Sequence, residues 1–242
     1  MMRRRRESWS VLVDIERCDG PGQTPYHQVF SYETTDEGTT VATLLRELNE
    51  RTPLLDVDGR PAAPIRWECG CLQRKCGACA MVIDGVPRAA CDVRLSQLRG
   101  KVVRLSPLRK FPLVADLVVD RKAVYGRLRE IEAWLAHEVE LPTGKAGSLA
   151  YEASRCLECG CCLEVCPNFS TVGAFGGMAA MVPLARLLSE ASDEDSSRIA
   201  ASYRAAVFSG CGKSLACRNV CPAGIDLAHL MSRSNAAAVW GR

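Results

Sequence analysis

Two rhythms of apolar residues run along the chain. Residues 9–17, Trp-Ser-Val-Leu-Val-Asp-Ile-Glu-Arg, alternate apolar and polar in the period-2 manner of a half-buried strand, and residues 28–33, Gln-Val-Phe-Ser-Tyr-Glu, repeat the pattern. Asp19-Gly20-Pro21-Gly22 lies between them as a turn signal, so the two are predicted to form a hairpin. Thr39 or Thr40 is placed to cap a helix that carries Val41, Leu44, Leu45 and Leu48 on one face. Pro53, Gly59, Pro61 and Pro64 mark a loop. Ala80-Met81-Val82-Ile83 and a strand from Val86 flank Asp84-Gly85, a strong signal for a tight hairpin. Lys101–Leu105 adds a further short strand. Residues 1–106 therefore predict a small α+β domain on one mixed sheet.

From Pro107 to Pro112 the chain is proline-punctuated, with Arg109 and Lys110 between, and reads as a linker. Beyond it the rhythm becomes helical. Val114, Leu117, Val118, Tyr125, Leu128, Ile131 and Leu135 recur at helical spacing, and a Gly/Pro loop follows from Leu141 to Ser148. Further helices are expected over 149–157, 174–190, 196–208 and 226–238, with Ser192–Ser197 as an acidic surface turn. Residues 107–242 thus predict an all-helical second domain with its cysteines in the loops between helices.

Composition narrows the function without naming it. The 242 residues are 48% hydrophobic and 24% charged with a net charge of +3, the composition of an ordinary globular protein. That charge does not imply nucleic acid. No stretch approaches the about 18 apolar residues of a membrane-spanning helix. The run Arg3-Arg4-Arg5-Arg6 is followed by Val11-Leu12-Val13, cut by Asp14 and Glu16, so no signal-peptide core follows and the run reads as a solvated terminus. The chain is expected to stay where it is made unless a partner carries it. In a reducing compartment its fourteen cysteines read first as metal or redox sites rather than disulfides.

Their placement is specific. Cys71-x4-Cys76-x2-Cys79, followed after eleven intervening residues by Cys91, matches the loop that wraps a [2Fe–2S] cluster in plant-type ferredoxins. A short loop brings three thiolates together, Gly77 lets the backbone approach, and the turn at Asp84-Gly85 returns Cys91 beside Cys79. A structural zinc site is the alternative, but such sites favour paired C-x2–4-C motifs. Cys69 precedes the loop and is not needed as a ligand; Cys18 stands alone as a buried thiol.

Cys156-x2-Cys159-x2-Cys162-x3-Cys166-Pro167 is the bacterial ferredoxin run, whose fourth cysteine ligates the other cluster in two-cluster proteins. Cys211-x5-Cys217-x3-Cys221-Pro222 is the same run with Ser214 where a thiol would stand. Crosswise ligation gives Cys156, Cys159, Cys162 and Cys221 to a [4Fe–4S] cluster. It leaves Cys166, Cys211 and Cys217 for a three-thiolate site that suits [3Fe–4S]; a labile fourth iron held by water or Ser214 is the competing reading. Cys161 sits at a spacing no ligand needs and is assigned to packing. His27, His137 and His229 are widely spaced and read as surface or packing residues, and no catalytic acid or base is assigned.

The order [2Fe–2S], [4Fe–4S], [3Fe–4S] resembles the iron–sulfur subunit of succinate dehydrogenase and fumarate reductase. The resemblance covers nearly the whole chain and includes Cys76-Gly77-Ala78-Cys79, Phe111-Pro112, Asp116-Leu117-Val118-Val119-Asp120, Cys156-Leu157-Glu158-Cys159-Gly160-Cys161-Cys162 and both Cys-Pro ends. It implies a β-grasp ferredoxin-like domain followed by a helical ferredoxin domain. It also implies FAD on a separate flavoprotein subunit, a membrane anchor, quinone as a further partner, and a peripheral place on the cytoplasmic side of the cell membrane through those partners. No dinucleotide glycine fingerprint occurs in the chain, in keeping with flavin on the partner. The resemblance departs beside the third cluster. Quinone-linked members often carry a Trp shortly after the position of Cys166, where this chain reads Pro167-Asn168-Phe169-Ser170-Thr171, and a polar residue, frequently His, where it has Gly212. Two other readings are an iron–sulfur subunit of a thiol-linked fumarate reductase or heterodisulfide-type reductase, and a zinc-bound interaction module. Ser214 speaks against the former, and metal analysis separates the latter.

Overall fold

A computed structural model describes residues 8–139 and 144–240; the Arg3–Arg6 run lies outside them. The chain divides into two units between Val119 and Asp120.

In the first unit, β1 (Trp9–Arg17) pairs antiparallel with β2 (Tyr26–Thr34), from Trp9 opposite Thr34 to Arg17 opposite Tyr26. β3 (Ala80–Ile83) and β4 (Val86–Ala89) form the second hairpin, and β5 (Val102–Ser106) runs parallel to β1 and antiparallel to β3. The sheet order is β2-β1-β5-β3-β4, a mixed sheet as the period-2 pattern predicts. Asp84 (φ +49°) and Gly85 (φ +77°) both take the left-handed conformation that a two-residue hairpin turn with the right twist requires. On the sheet lies α1 (Val41–Asn49), started by Thr40, whose side chain accepts from the Thr43 amide at 3.1 Å. Val41, Leu44, Leu45 and Leu48 are buried against Val11, Val13, Ile15 and Phe30, which puts the core between helix and sheet.

The segment after residue 106 departs from expectation. Val114, Leu117 and Val118 are not helical: β6 (Leu113–Ala115) and β7 (Val118–Val119) form a small antiparallel hairpin. The reason is Asp116 at its tip, held at φ +44° and fully buried. Its carboxylate takes hydrogen bonds from Arg17 and from the amides of Cys18 and Arg66, while Leu117 enters the first core. The helical rhythm begins only with α2 (Lys122–Glu130).

The second unit is built of helices around α5 (Gly177–Glu190), which packs against α2, α3 (Gly144–Ser154), the single turn α4 (Cys161–Glu164), α6 (Asp193–Tyr203) and α7 (Leu227–Trp240). Met181, Leu184, Ile199, Tyr203 and Leu230 fill its core. The expected loop over 141–148 is helical from Gly144; residues 140–143 lie outside the described residues. The expected acidic turn Ser192–Ser197 is instead the start of α6. Ser192 caps it, Asp193 and Glu194 sit in the first turn where the helix dipole favours anions, and Asp195 is buried. α6 continues as a π-turn over Arg204–Phe208. No helix among the described residues is long and apolar enough to cross a membrane.

Candidate metal centres

The first centre is a loop of backbone amides around sulfur. Leu72 (φ +53°), Arg74 (φ +56°) and Gly77 (φ +73°) turn the chain so that its N–H groups face inward. The amides of Gln73 and Lys75 donate to Cys71 Sγ at 3.3 and 3.2 Å, and that of Cys71 donates to Cys76 Sγ at 3.4 Å. The Arg74 amide reaches Cys91 Sγ at 3.2 Å, so the cysteine most distant in sequence stands against the same loop. The β3–β4 hairpin brings it there, with the Ala90 amide bonded to the Cys79 carbonyl at 3.0 Å. Arg74 also binds Asp92 at 3.1 and 3.2 Å. A Cβ on Gly70 would lie 3.2 Å from Cys76 Sγ, which leaves little room for a side chain there. The Cys71 thiol is held down at about 7, first by the Gln73 amide and then by that of Lys75. Burial, with Cys91 adjacent, pushes Cys79 up to about 12. The donor set is thus four sulfurs and converging amides, which fits an anionic iron–sulfur group. Cys69 is exposed, and Cys18 is buried with its thiol donating to the Gly20 carbonyl at 3.2 Å.

The other two runs exchange a cysteine. Cys156, Cys159 and Cys162 line a cavity together with Cys221 from the last run. Cys166, Cys211 and Cys217 line a second cavity, with Ser214 in its wall. Local structure explains the parting. Gly160 (φ +86°) starts α4, which carries Cys162 into the first cavity; the chain then turns at Cys166, whose amide bonds the Leu163 carbonyl, and leaves toward the second. Apart from Glu158 and main-chain atoms, the walls of the first cavity are apolar, including Leu157, Met178, Val182 and Ile225. Burial pushes the Cys156 and Cys162 thiols up, and that of Cys217 in the other cavity likewise. A bound metal reverses that balance, since a coordinating thiol is deprotonated. Three or four thiols converging on each cavity form a donor set that fits an iron–sulfur cluster.

Four features were invisible in the sequence. Cys161 is fully buried, and its thiol donates to Cys159, which lowers the Cys159 thiol; the Arg121 guanidinium, bonded to the Cys159 carbonyl at 3.3 Å, acts in the same direction. Glu158 faces the first cavity with Oε2 buried and without a hydrogen-bond partner, and burial pushes its carboxyl up to about 7. Met231 Sδ lies 3.8 Å from Cys211 Sγ. Asn168 donates to the Gly210 carbonyl at 2.6 Å, and a Cβ on Gly212 would meet Asn168 Nδ2 at 3.1 Å. Asn168, within the departing segment after Cys166, is therefore packed against Gly212. No histidine lines either cavity: His27 pairs with Asp14 and His137 with Asp195.

Comparison with known proteins shows the family. Residues 12–126 match the family model of a 2Fe-2S iron-sulfur cluster binding domain, and residues 152–225 that of a 4Fe-4S dicluster domain. The succinate dehydrogenase iron-sulfur subunit of Bacillus subtilis is 34% identical over 230 residues, covering 91% of this chain and 89% of the relative. The chain belongs to the succinate dehydrogenase and fumarate reductase iron–sulfur subunit family. The fumarate reductase iron-sulfur subunit of Wolinella succinogenes is 31% identical over 176 residues, 67% of this chain and 73% of that one. Among solved structures, the Mycobacterium smegmatis Sdh1 complex in the apo form contains a chain with the same fold, at TM-score 0.72 and 22% identity, covering 95% of this chain and 97% of that one. As a member of this family, the chain is an oxidoreductase component with an electron-transfer role, built from a [2Fe–2S] domain and a helical [4Fe–4S] dicluster domain.

Proposed function

We propose that this iron–sulfur subunit relays single electrons between an FAD-bearing flavoprotein subunit, which interconverts succinate and fumarate, and quinone at a membrane anchor. The observation that carries the reading is the exchange of Cys221 and Cys166 between the two runs, the partition that a pair of clusters in a dicluster ferredoxin domain requires. On this reading Cys71, Cys76, Cys79 and Cys91 hold [2Fe–2S]; Cys156, Cys159, Cys162 and Cys221 hold [4Fe–4S]; and Cys166, Cys211 and Cys217 hold [3Fe–4S]. The first lies in the unit that ends at Val119 and the other two in the unit that begins at Asp120.

Bound there, the clusters supply reversible one-electron capacity, and the chain's own residues set the conditions. The amides of Gln73, Arg74 and Lys75 donate to sulfur and so favour the more negative, reduced form of the first centre. Apolar walls keep water from the second. At the third, Ser214 presents a hydroxyl where a thiolate would bind a fourth iron. No acid or base is assigned to the chain, because a relay of single electrons between clusters needs none. It sits peripherally on the cytoplasmic side of the membrane through its partners.

EPR on anaerobically purified full-length chain tests the assignment. An oxidised [3Fe–4S] signal is expected, and on reduction one [2Fe–2S] and one [4Fe–4S] signal. Zinc without acid-labile sulfide overturns the relay. In the assembled complex, succinate-dependent quinone reduction is expected to require this chain. Turnover with a thiol couple and none with quinone would replace the quinone partner.

A further inference from the structure

We infer that Arg121 sets the reduction potential of the second cluster by holding a permanent positive charge against the Cys159 wall of its cavity. The inference rests on the ligand assignment proposed above. Arg121 stands at the start of α2, and its Nη1 donates to the Cys159 carbonyl at 3.3 Å. Cys159 itself is buried in a cavity whose walls are otherwise largely apolar.

Three physical points follow. A guanidinium is charged at every working pH and is here tied through Nη1 to a ligand's carbonyl. A charge beside a poorly hydrated cavity is screened far less than one in water. Reduction adds one electron, and one negative charge, to whatever the cavity holds. A cation fixed beside it stabilises the reduced form over the oxidised one, and local charge is among the factors that set cluster potentials. Arg121 is therefore a positioning residue that touches the main chain of a ligand and acts through charge.

The test is a charge series at this one position, in the full-length chain with its clusters, read by mediated redox titration and EPR. Arg121→Lys keeps the charge, Arg121→Gln removes it, and Arg121→Glu inverts it. The Gln variant is expected to raise the oxidised-to-reduced ratio of the second cluster at least tenfold at a fixed solution potential, equivalent to 59 mV for a one-electron couple. The Glu variant is expected to shift it further in the same direction, with Lys near wild type and the [2Fe–2S] midpoint unmoved in all three. Where the Glu variant fails to hold the cluster, the contrast between Gln and Lys decides. Equal midpoints in Gln and Lys, with full iron and sulfide content, overturn the inference, and so does a shift shared by Lys. Absence of any [4Fe–4S] signal in the unaltered chain overturns the ligand assignment instead, so the two failures are distinct.

Discussion

Arg17 and Asp116 form an ion pair with no solvent exposure on either side chain, Nε to Oδ1 at 3.0 Å, across 99 residues of sequence. Arg17 continues the inward face of β1 after Val11, Val13 and Ile15, so a charge occupies a core position. Asp116 compensates it, and also accepts from the Cys18 amide at 3.0 Å and the Arg66 amide at 2.9 Å. Gln28 and the Ala63 and Pro64 carbonyls take three further guanidinium protons. Removing one partner strands the other: Asp116→Asn is expected to destabilise the chain by about 3–5 kcal/mol. Replacing Arg17 by Met as well should recover only part of this, because asparagine keeps a single acceptor oxygen and one of the two amides still loses its partner. Urea unfolding followed by far-UV circular dichroism under anaerobic conditions checks both. A loss below about 1 kcal/mol for Asp116→Asn would show that desolvation offsets the pair.

Acid sensitivity follows from Asp195. Its carboxylate accepts from Arg198 at 3.0 Å and from the Ala136 and His137 amides at 3.2 Å, and these bonds, the Arg198 one first, hold it down at about 2. An unfolded aspartate titrates near about 3.9. The native value is lower, so the stabilisation is fully present above about pH 4 and is lost as the pH falls toward 2. Asp116 shifts in the same direction: burial pushes it up, but the bonds from Arg17 and the amides outweigh that. The difference in urea midpoint between wild type and Asp195→Asn should be full at pH 6 and shrink below about pH 4. Acid loss of clusters is common to both proteins, so the difference isolates Asp195. A difference that stays constant across this range would rule the carboxylate out.

The contrast between Arg17 and the cysteines shows what a sequence exposes. Strands β1 to β5 and α1 were legible because each buries one face, and a one-sided element writes its period into the chain. The cysteine runs were legible because cluster chemistry demands fixed short spacings. The hairpin at 113–119 was not, since Val114, Leu117 and Val118 mimic a helical repeat and the deciding contact, Asp116 with Arg17, is 99 residues long-range. Asp195 misled for the same reason: in an acidic stretch nothing marks the one carboxylate whose partners, Ala136 and His137, come from about sixty residues away. Arg121 and Glu158 gain their roles only from what the fold places beside them.

Gly177 links packing to the second cavity. It opens α5 at φ +60°, and a Cβ there would stand 2.5 Å from Leu163 Cδ2, a buried side chain on α4. Gly177→Ala therefore meets both left-handed strain and overpacking, and is expected to destabilise by about 1–3 kcal/mol. The displaced α4 carries Cys161 and Cys162, so the second cluster's content should fall while the [2Fe–2S] signal holds. Thermal unfolding together with iron quantified per EPR signal measures the two effects. Unchanged stability would mean that Leu163 rotates away at little cost.

The exchange of cysteines makes the sharpest demand on the ligand assignment. Counting by sequence, loss of Cys221 should damage the cluster of the last run, and loss of Cys166 that of the middle run. The cavities say the reverse: Cys221 stands with Cys156, Cys159 and Cys162, and Cys166 with Cys211 and Cys217. Cys221→Ala is expected to abolish the reduced [4Fe–4S] signal and spare the oxidised [3Fe–4S] signal, and Cys166→Ala to do the opposite. The [2Fe–2S] signal serves in each as the measure of a folded chain. Ser214→Cys supplies the thiol absent from the wall of the third cavity. It should convert that centre to a four-iron cluster, because a fourth thiolate anchors the corner iron. The added anionic ligand then lowers its potential relative to the three-iron form, visible as loss of the oxidised signal and gain of a reduced one. If Cys221→Ala removed the [3Fe–4S] signal instead, ligation would follow the runs in sequence and the crosswise assignment would fall.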